Sequence, residues 1–210
     1  MKKFLKLIST LIMISLLLTG CGSQVDMSFQ KTSQPLKSTS VRTSENDNTK
    51  VLVVYYSSTG TTQSVAEKIA KSTEGDLFEL KPMNPYKNDD LNYNDKKSRI
   101  YEEYNSKELQ DVELEYNTVD DWDTYNTVFI GYPIWWGNAS WVVNSFVQLN
   151  NFEGKTVIPF CTSASSGIGD SEKFLKSQND TGNWKEGKRF TAGTSSDDVN
   201  DWLEKLEIKK

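Results

Sequence analysis

The residues with the clearest chemical pattern lie at positions 55–62, in the segment YYSSTGTT. An apolar run over residues 51–56 precedes these hydroxyl side chains, and apolar residues at helical spacing follow from Gln63. This order predicts a buried strand, a small-residue loop and a helix N-terminus. The free N–H groups and partial positive charge of such a helix start can bind a phosphate without lysine or arginine. An ordinary strand-to-helix turn capped by Ser or Thr is the alternative, and the segment matches neither the Walker loop nor the three-glycine dinucleotide motif.

Two further loops with unusual residues follow predicted buried strands. The strand predicted over residues 127–131 leads into YPIWWG, with Trp135 and Trp136 side by side. The strand over 156–160 leads into CTSASSGIG, residues 161–169. Ligands of parallel α/β sheets bind beyond the carboxyl ends of the strands, so the three loops are predicted to share one site. Core packing is the alternative for the tryptophan pair, and we expect one of the two to be mainly structural.

The remaining pattern predicts the elements that hold these loops. Weaker strands are predicted over residues 76–80 and 188–191. Helices are predicted from Gln63, over about 95–110, over about 139–149, over about 171–177 and over 199–206. In the helix over 139–149 the predicted apolar face consists of Trp141, Val142, Ser145, Phe146 and Leu149. Strands that alternate with helices indicate a parallel sheet with helices on both faces.

The amino terminus has the plan of an export signal. Basic residues precede an apolar run over residues 7–18, which is shorter than the roughly 20 residues of a membrane-spanning helix. The ending Leu-Thr-Gly-Cys at 18–21 resembles the bacterial lipoprotein signal, which implies cleavage before Cys21, lipidation of its thiol and an extracytoplasmic, membrane-anchored protein. An uncleaved anchor is the alternative. We therefore predict a signal peptide over 1–20, a lipidated Cys21 with a flexible Ser/Thr-rich tether to 48, and a folded domain over 49–210.

The composition excludes several classes of function. Without residues 1–20 the chain has 21 basic and 29 acidic residues, a net charge of −8, which disfavours nucleic acid as a partner. The sequence contains no histidine, so Ser-His-Asp catalysis, Cys-His catalysis and histidine metal sites are excluded. We predict no metal site and no catalytic side chain, and expect the chemistry to come from a bound cofactor. With Cys21 lipidated, Cys161 has no disulfide partner and is expected to be a buried apolar residue rather than a nucleophile.

At the three loops the sequence resembles the flavodoxin family. The shared patterns are Y-x-S-x-T-G-x-T at 55–62, G-Y-P-I-W-W-G at 131–137 and F-C-T-S-x-x-S-G-I-G at 160–169, and the resemblance extends over about residues 50–206. It implies an α/β, doubly wound sandwich with a five-stranded parallel sheet in the order 2-1-3-4-5, and bound FMN. The chain has Ala139-Ser140 where Ala-Pro is expected and Ala164 where glycine is frequent.

The resemblance also implies which residues bind the cofactor. The ribityl phosphate would be held by Ser57, Thr59, Gly60, Thr61 and Thr62. One side of the isoalloxazine would be lined by Pro133, Ile134, Trp135, Trp136 and Gly137. The other side would be lined by Thr162, Ser163, Ala164, Ser165, Gly167 and Gly169.

Three functions fit this interpretation. The leading hypothesis is a lipid-anchored FMN protein that transfers electrons at the outer face of the cytoplasmic membrane, with an unidentified redox protein or small molecule as donor and acceptor. The alternatives are an FMN-dependent NAD(P)H:quinone-type reductase and a lipoprotein that binds flavin or another phosphorylated ligand without redox turnover. An acidic domain and an apolar ring site both disfavour negative charge on reduced flavin, so we expect a low potential for the last electron.

Overall fold

The computed structural model describes residues 50–208, so the predicted signal peptide, Cys21 and most of the tether lie outside the described residues. The strands, in chain order, are β1 Val51–Tyr55, β2 Asp76–Glu79, β3 Thr127–Trp135, β4 Asn138–Ala139, β5 Thr156–Thr162, β6 Asn183–Trp184 and β7 Lys188–Phe190. The α-helices are α1 Thr61–Thr73, α2 Arg99–Asn105, α3 Val142–Leu149, α4 Ser171–Gln178 and α5 Ser196–Lys205. Short 3-10 helices lie at Asp89–Leu91, Lys107–Gln110 and Trp122–Thr124.

The sheet has the predicted parallel order, with two additions. Strands β2, β1, β3 and β5 lie side by side, and β6 and β7 share the last position next to β5. The additions are β4, which pairs antiparallel with the end of β3, and β6, which the sequence analysis did not predict. The predicted order 2-1-3-4-5 is confirmed, since β6 and β7 together form the fifth position.

A proline explains why the last strand position is broken. The Val157 carbonyl accepts a hydrogen bond from Lys185 N–H, so by alternation the nitrogen of Pro159 also faces this side of β5. A proline nitrogen carries no hydrogen and cannot continue the ladder. The register accordingly slips by one residue, from Val157 opposite Trp184 to Phe160 opposite Lys188.

Two hydrophobic cores cover the two faces of the sheet. Every residue of β1 is buried, as the unbroken apolar run predicted. Alternate residues of β1 contribute to opposite cores, one with apolar residues of α1 and α5 and the other with apolar residues of α2, α3 and α4. The three loops at the carboxyl ends of β1, β3 and β5 are therefore attached to a sheet that is packed on both sides.

The prediction for the third helix was wrong in its start and in part of its face. The chain forms β4 before it turns into α3 at Val142, and Leu149, predicted to be buried, is 62% exposed. Val142 and Phe146 are buried as predicted, and Val143 and Val147, which were not predicted, complete the buried face of α3. This face satisfies helical spacing as well as the predicted one, so the sequence pattern alone does not distinguish the two.

The helix predicted over 95–110 is shorter than expected. The Ser98 hydroxyl accepts the Tyr101 N–H at the start of α2, and extended backbone at Ser106 ends the helix. Ile100 is fully buried, but Tyr104 and Leu109 are 44% and 51% exposed. Within residues 50–208, no helix is both long and apolar enough to cross a membrane.

Candidate functional site

The loop after β1, residues 57–62, is here called the phosphate loop. Helix α1 begins at Thr61, and its N-cap residue Gly60 supplies no capping side chain. Among the described residues, none accepts a hydrogen bond from the backbone N–H groups of residues 57–63. The predicted strand, loop and helix N-terminus are present, and they leave a set of donors unpaired.

Two hydroxyls of the phosphate loop differ in their surroundings. The Ser57 Oγ atom is buried and has no hydrogen-bond partner within the described part of the chain. The Thr62 side chain is buried, and its Oγ1 lies 2.8 Å from Thr162 Oγ1, which ties α1 to the end of β5. A buried hydroxyl without a partner is unfavourable, so Ser57 is the stronger indication of a missing ligand.

The second loop, residues 133–139, is here called the tryptophan loop. Strand β3 continues to Trp135, and the next two residues, Trp136 and Gly137, have φ angles of 46° and 79° before β4 begins. Two successive positive φ angles are typical of a type I′ hairpin turn, where Asn-Gly is the usual pair. A tryptophan in the left-handed region costs on the order of 1 kcal/mol or more. The turn therefore holds Trp136 in a conformation that the backbone alone disfavours.

The two tryptophans have different roles, as expected. Trp135 is only 1% exposed and makes edge contacts with Tyr56, Tyr86 and Trp141, at ring-centroid distances of 5.8, 5.2 and 4.7 Å. It is the mainly structural member of the pair. Trp136 is half-buried and stacks on Tyr104, with ring centroids 4.5 Å apart and planes 13° apart.

A buried polar network supports the tryptophan loop from behind. Glu103 is buried, with only 4% of the residue exposed. Its Oε2 accepts hydrogen bonds from Trp141 Nε1 and Tyr86 OH, both at 2.7 Å. Its other oxygen accepts from Arg99 Nε at 2.6 Å. Burial and the Glu103 carboxylate raise the pKa of Tyr86 well above its ordinary value. Because Trp141 packs against Trp135, this network fixes the rear wall of the loop.

The loop after β5, residues 162–169, is here called the third loop. It approaches the tryptophan loop so closely that a Cβ atom on Gly169 would lie 3.3 Å from the Gly137 carbonyl oxygen. Ala164 is not among the residues with positive φ, so alanine is accommodated at this position. Cys161, just before the loop, is fully buried, and burial raises the pKa of its thiol to about 12. The expectation of a buried cysteine is confirmed.

The three loops surround a cavity of about 630 Å³, which is within the usual range for small-molecule sites. Most of the predicted site residues line it, namely Thr59, Thr61, Pro133, Ile134, Trp135, Trp136, Gly137, Thr162, Ser163, Ala164 and Ser165. The other predicted residues do not line the cavity: Ser57, Gly60, Thr62, Gly167 and Gly169. Their predicted roles toward a cofactor remain predictions.

Several lining residues were not predicted. Leu91 and Tyr93 come from the long connection between β2 and β3, and Ala192 follows β7. Ser58 and Ser166 lie inside the predicted loops, where their position was an available signal. Among the described residues, no charged side chain lines the cavity. Within residues 50–208, no cluster of three or more cysteine or acidic side chains has the arrangement of a metal site.

The sequence matches the flavodoxin family over residues 50–206. This chain belongs to the flavodoxin family. The cavity lies beyond the carboxyl ends of β1 and β3, where the strand order reverses and where flavodoxin-like folds bind FMN. Family membership confirms FMN as the predicted cofactor.

Two solved structures are similar to this flavodoxin-family chain. A candidate flavoprotein from Bacteroides eggerthii DSM 20697 is 40% identical, with a TM-score of 0.70 over 77% of this chain and 100% of its own. A candidate flavoprotein from Bacteroides uniformis ATCC 8492 is 36% identical, with a TM-score of 0.68 over 74% of this chain and 97% of its own. Comparison with curated protein sequences gave no match.

Proposed function

We propose that this protein is an electron carrier that binds FMN at the carboxyl end of its sheet and works at the outer face of the cytoplasmic membrane, anchored by a lipid on Cys21. The observation that carries the proposal is the phosphate loop. Through Ser58, Thr59 and Thr61 this loop lines a cavity of about 630 Å³ whose described lining is uncharged. Among the described residues, its N–H groups have no acceptor and the buried Ser57 hydroxyl has no partner. A dianionic phosphate satisfies such donors without a basic side chain.

Different loops would bind different parts of FMN. The phosphate loop offers the backbone N–H groups of residues 57–63 and the hydroxyls of Ser57, Thr59 and Thr61 to the phosphate. The tryptophan loop offers apolar surface from Pro133, Ile134 and Trp136, which excludes water from a flat ring. FMN itself supplies the ability to accept and release electrons.

The side chains around the cavity favour a carrier over an acid–base enzyme. Tyr93 is the titratable residue that lines the cavity, and burial raises its pKa to about 12. The Cys161 thiol is fully buried and also stays protonated, since burial raises its pKa to about 12. Neither group exchanges a proton readily near neutral pH, so neither Tyr93 nor Cys161 is suited to act as a general acid or base at this cavity.

Electron transfer is tested with the chain from Gly22 onward, loaded with FMN and reduced with dithionite. We expect bacterial membranes to reoxidise it rapidly, and we expect it to consume no NADPH under steady-state conditions. Rapid NADPH oxidation coupled to quinone reduction would instead support the reductase. Failure of membranes to reoxidise the protein, together with no NADPH consumption, would support a binding lipoprotein.

The anchor is tested separately in cells. We expect the full-length chain to fractionate with membranes and to incorporate labelled fatty acid. The Cys21→Ser variant should lose the label and keep its FMN site, because residue 21 precedes the folded domain. A labelled Cys21→Ser variant, or a wild-type chain without label, would contradict lipidation at this residue.

A further inference from the structure

Arg189 on β7 makes several hydrogen bonds to the third loop. Its Nε donates to Ser163 Oγ at 2.9 Å, and its Nη2 donates to the carbonyl oxygens of Ser163 at 3.1 Å and Ala164 at 2.9 Å. The Ser163 hydroxyl in turn donates to the carbonyl of Ser166. One guanidinium group thus binds two consecutive carbonyls of the loop and the hydroxyl that holds a third.

The carbonyl contacts also fix where the adjacent N–H groups point. In a planar trans peptide the carbonyl of one residue and the N–H of the next point in opposite directions. The N–H groups of Ala164 and Ser165 therefore point away from Arg189. Ser163, Ala164 and Ser165 line the cavity, and Arg189 does not, so Arg189 lies behind the loop.

The donors of the third loop have no other use in the domain. Among the described residues, none accepts a hydrogen bond from the backbone N–H groups of residues 164–170. No acidic side chain within residues 50–208 forms an ion pair with Arg189. The hydrogen bonds of its guanidinium group go to the third loop, which lines a cavity whose described lining is uncharged.

We infer that Arg189 is a positioning residue for the cofactor. It turns the carbonyls of Ser163 and Ala164 outward, so that the N–H groups of Ala164 and Ser165 face the cavity as donors to the polar edge of the flavin ring. This inference rests on the proposed FMN site. The positive charge of Arg189 also favours the reduced, more negative flavin. It therefore raises the reduction potential of the flavin in an otherwise acidic domain.

The neighbouring Lys188 provides a matched control. It lies on the same strand, carries the same charge, and donates to the Asp198 carbonyl at 3.3 Å instead of contacting the third loop. Lys188→Gln therefore removes one charge without removing the loop contacts. Arg189→Gln removes both. Arg189→Lys keeps the charge but loses the planar guanidinium group, whose Nε binds the Ser163 hydroxyl and whose Nη2 binds the two carbonyls.

The experiment measures FMN dissociation constants, the FMN reduction potential, and the amide NMR shifts of Ala164 and Ser165 in the chain from Gly22 onward. We expect Arg189→Gln to bind FMN roughly 10-fold or more weakly, to lower the potential and to shift both amides before FMN is added. Arg189→Lys should have a reduction potential close to that of the wild type but should bind FMN more weakly than the wild type. Lys188→Gln should resemble the wild type in all three measurements.

Some outcomes would overturn the inference. Equal FMN affinity in Arg189→Gln and Lys188→Gln would do so, as would equal potentials in these two variants. If Arg189→Gln does not fold, the inference is tested by comparing FMN affinity in the wild type and in Arg189→Lys, and equal affinities would overturn it. Amides of Ala164 and Ser165 that stay unshifted when FMN saturates the wild type also overturn it. Failure of the wild type to bind FMN would be a failure of the proposed function, and the wild type alone shows it.

Discussion

The two ends of the sheet differ in whether their polar groups have hydrogen-bond partners within the described residues. At the amino end, the side chain of Lys155 is buried and its Nζ donates to the carbonyls of Trp122 and Tyr125, at 2.9 and 2.6 Å. The Asn150 amide, just after α3, donates to the carbonyls of Asn117 and Phe146. At the carboxyl end, the N–H groups of the phosphate loop and most of those in the third loop have no acceptor among the described residues.

This contrast distinguishes polar groups that stabilise the fold from polar groups that are available to bind a ligand. A buried polar group usually has a partner, and the amino end satisfies that rule with its own side chains. The carboxyl end leaves loop donors unpaired and buries the Ser57 hydroxyl without a partner, as far as residues 50–208 show. We therefore expect substitutions at the amino end to change stability, and substitutions at the carboxyl end to change ligand binding.

The largest effect is expected from replacing both Thr59 and Thr61 with Glu. Two carboxylates in the phosphate loop repel a phosphate and compete for its donors, so FMN affinity should fall by roughly 1,000-fold or more. The free energy of unfolding of the apo domain should change little, because Thr59 is exposed and Thr61 only partly buried. FMN titration and urea unfolding measure the two quantities.

The matched control places the same charges at the opposite end. Thr118 and Thr124 are exposed and lie near the amino end, so replacing both with Glu adds the same net charge away from the cavity. FMN affinity should then stay within a few-fold of the wild type. If both double variants lose FMN equally, net charge rather than the phosphate loop determines binding.

The second effect concerns stability at the amino end. Lys155→Met keeps the length of the side chain but leaves the buried carbonyls of Trp122 and Tyr125 without a donor. We expect the free energy of unfolding to fall by about 3 kcal/mol, with unchanged FMN affinity in the folded fraction. The exposed Lys185→Met is the control and should cost less than about 0.5 kcal/mol. A stable Lys155→Met domain with weakened FMN binding would reverse the assignment of the two ends.

The third effect is a loss of stability at alkaline pH. Burial raises the pKa of Cys161 from 9.0 to about 12, so the folded state retains this proton while the unfolded state loses it. The stabilisation is fully present below pH 9 and is lost as the pH rises from about 9 toward 12, with about 1.4 kcal/mol lost at pH 10. Urea unfolding of the wild type and of Cys161→Ala at pH 8 and pH 10 measures this loss, which should be smaller in the variant. An equal loss in both proteins would assign the pH dependence to other groups.

The smallest effect is expected at Ser57. Ser57→Ala removes a buried hydroxyl that has no partner, so the apo domain should be unchanged or more stable by up to about 1 kcal/mol. The same change should weaken FMN binding by roughly 3- to 10-fold, because we propose that this hydroxyl donates to the phosphate. Opposite signs in the unfolding and binding measurements are the signature of a ligand group. A destabilised variant with wild-type FMN affinity would make Ser57 structural.

The strands of the central sheet could be predicted because their residues are apolar without interruption. The start of α3 could not, since Ala139 has helical spacing but pairs with Ile134 in the hairpin. The strand β6 was missed because it spans two residues and depends on its partner β5 for its hydrogen bonds. In both cases a tertiary contact overrides a local pattern.

The candidate site could be predicted where the chain itself forms a loop after a strand. The sequence therefore located the phosphate loop, the tryptophan loop and the third loop. Leu91 and Tyr93 were missed because the connection between β2 and β3 returns to the cavity without any local pattern. Arg189 was missed because its partners, Ser163 and Ala164, are backbone and hydroxyl groups on a different strand end.

The most direct test of the account is an FMN titration of the chain from Gly22 onward, followed by the visible absorption spectrum. We predict one FMN per chain, a perturbed flavin spectrum, and loss of both in the Thr59→Glu, Thr61→Glu variant. A folded protein that leaves the FMN spectrum unchanged at saturating concentration would contradict the central claim. The unpaired donors at the carboxyl end would then serve a different ligand.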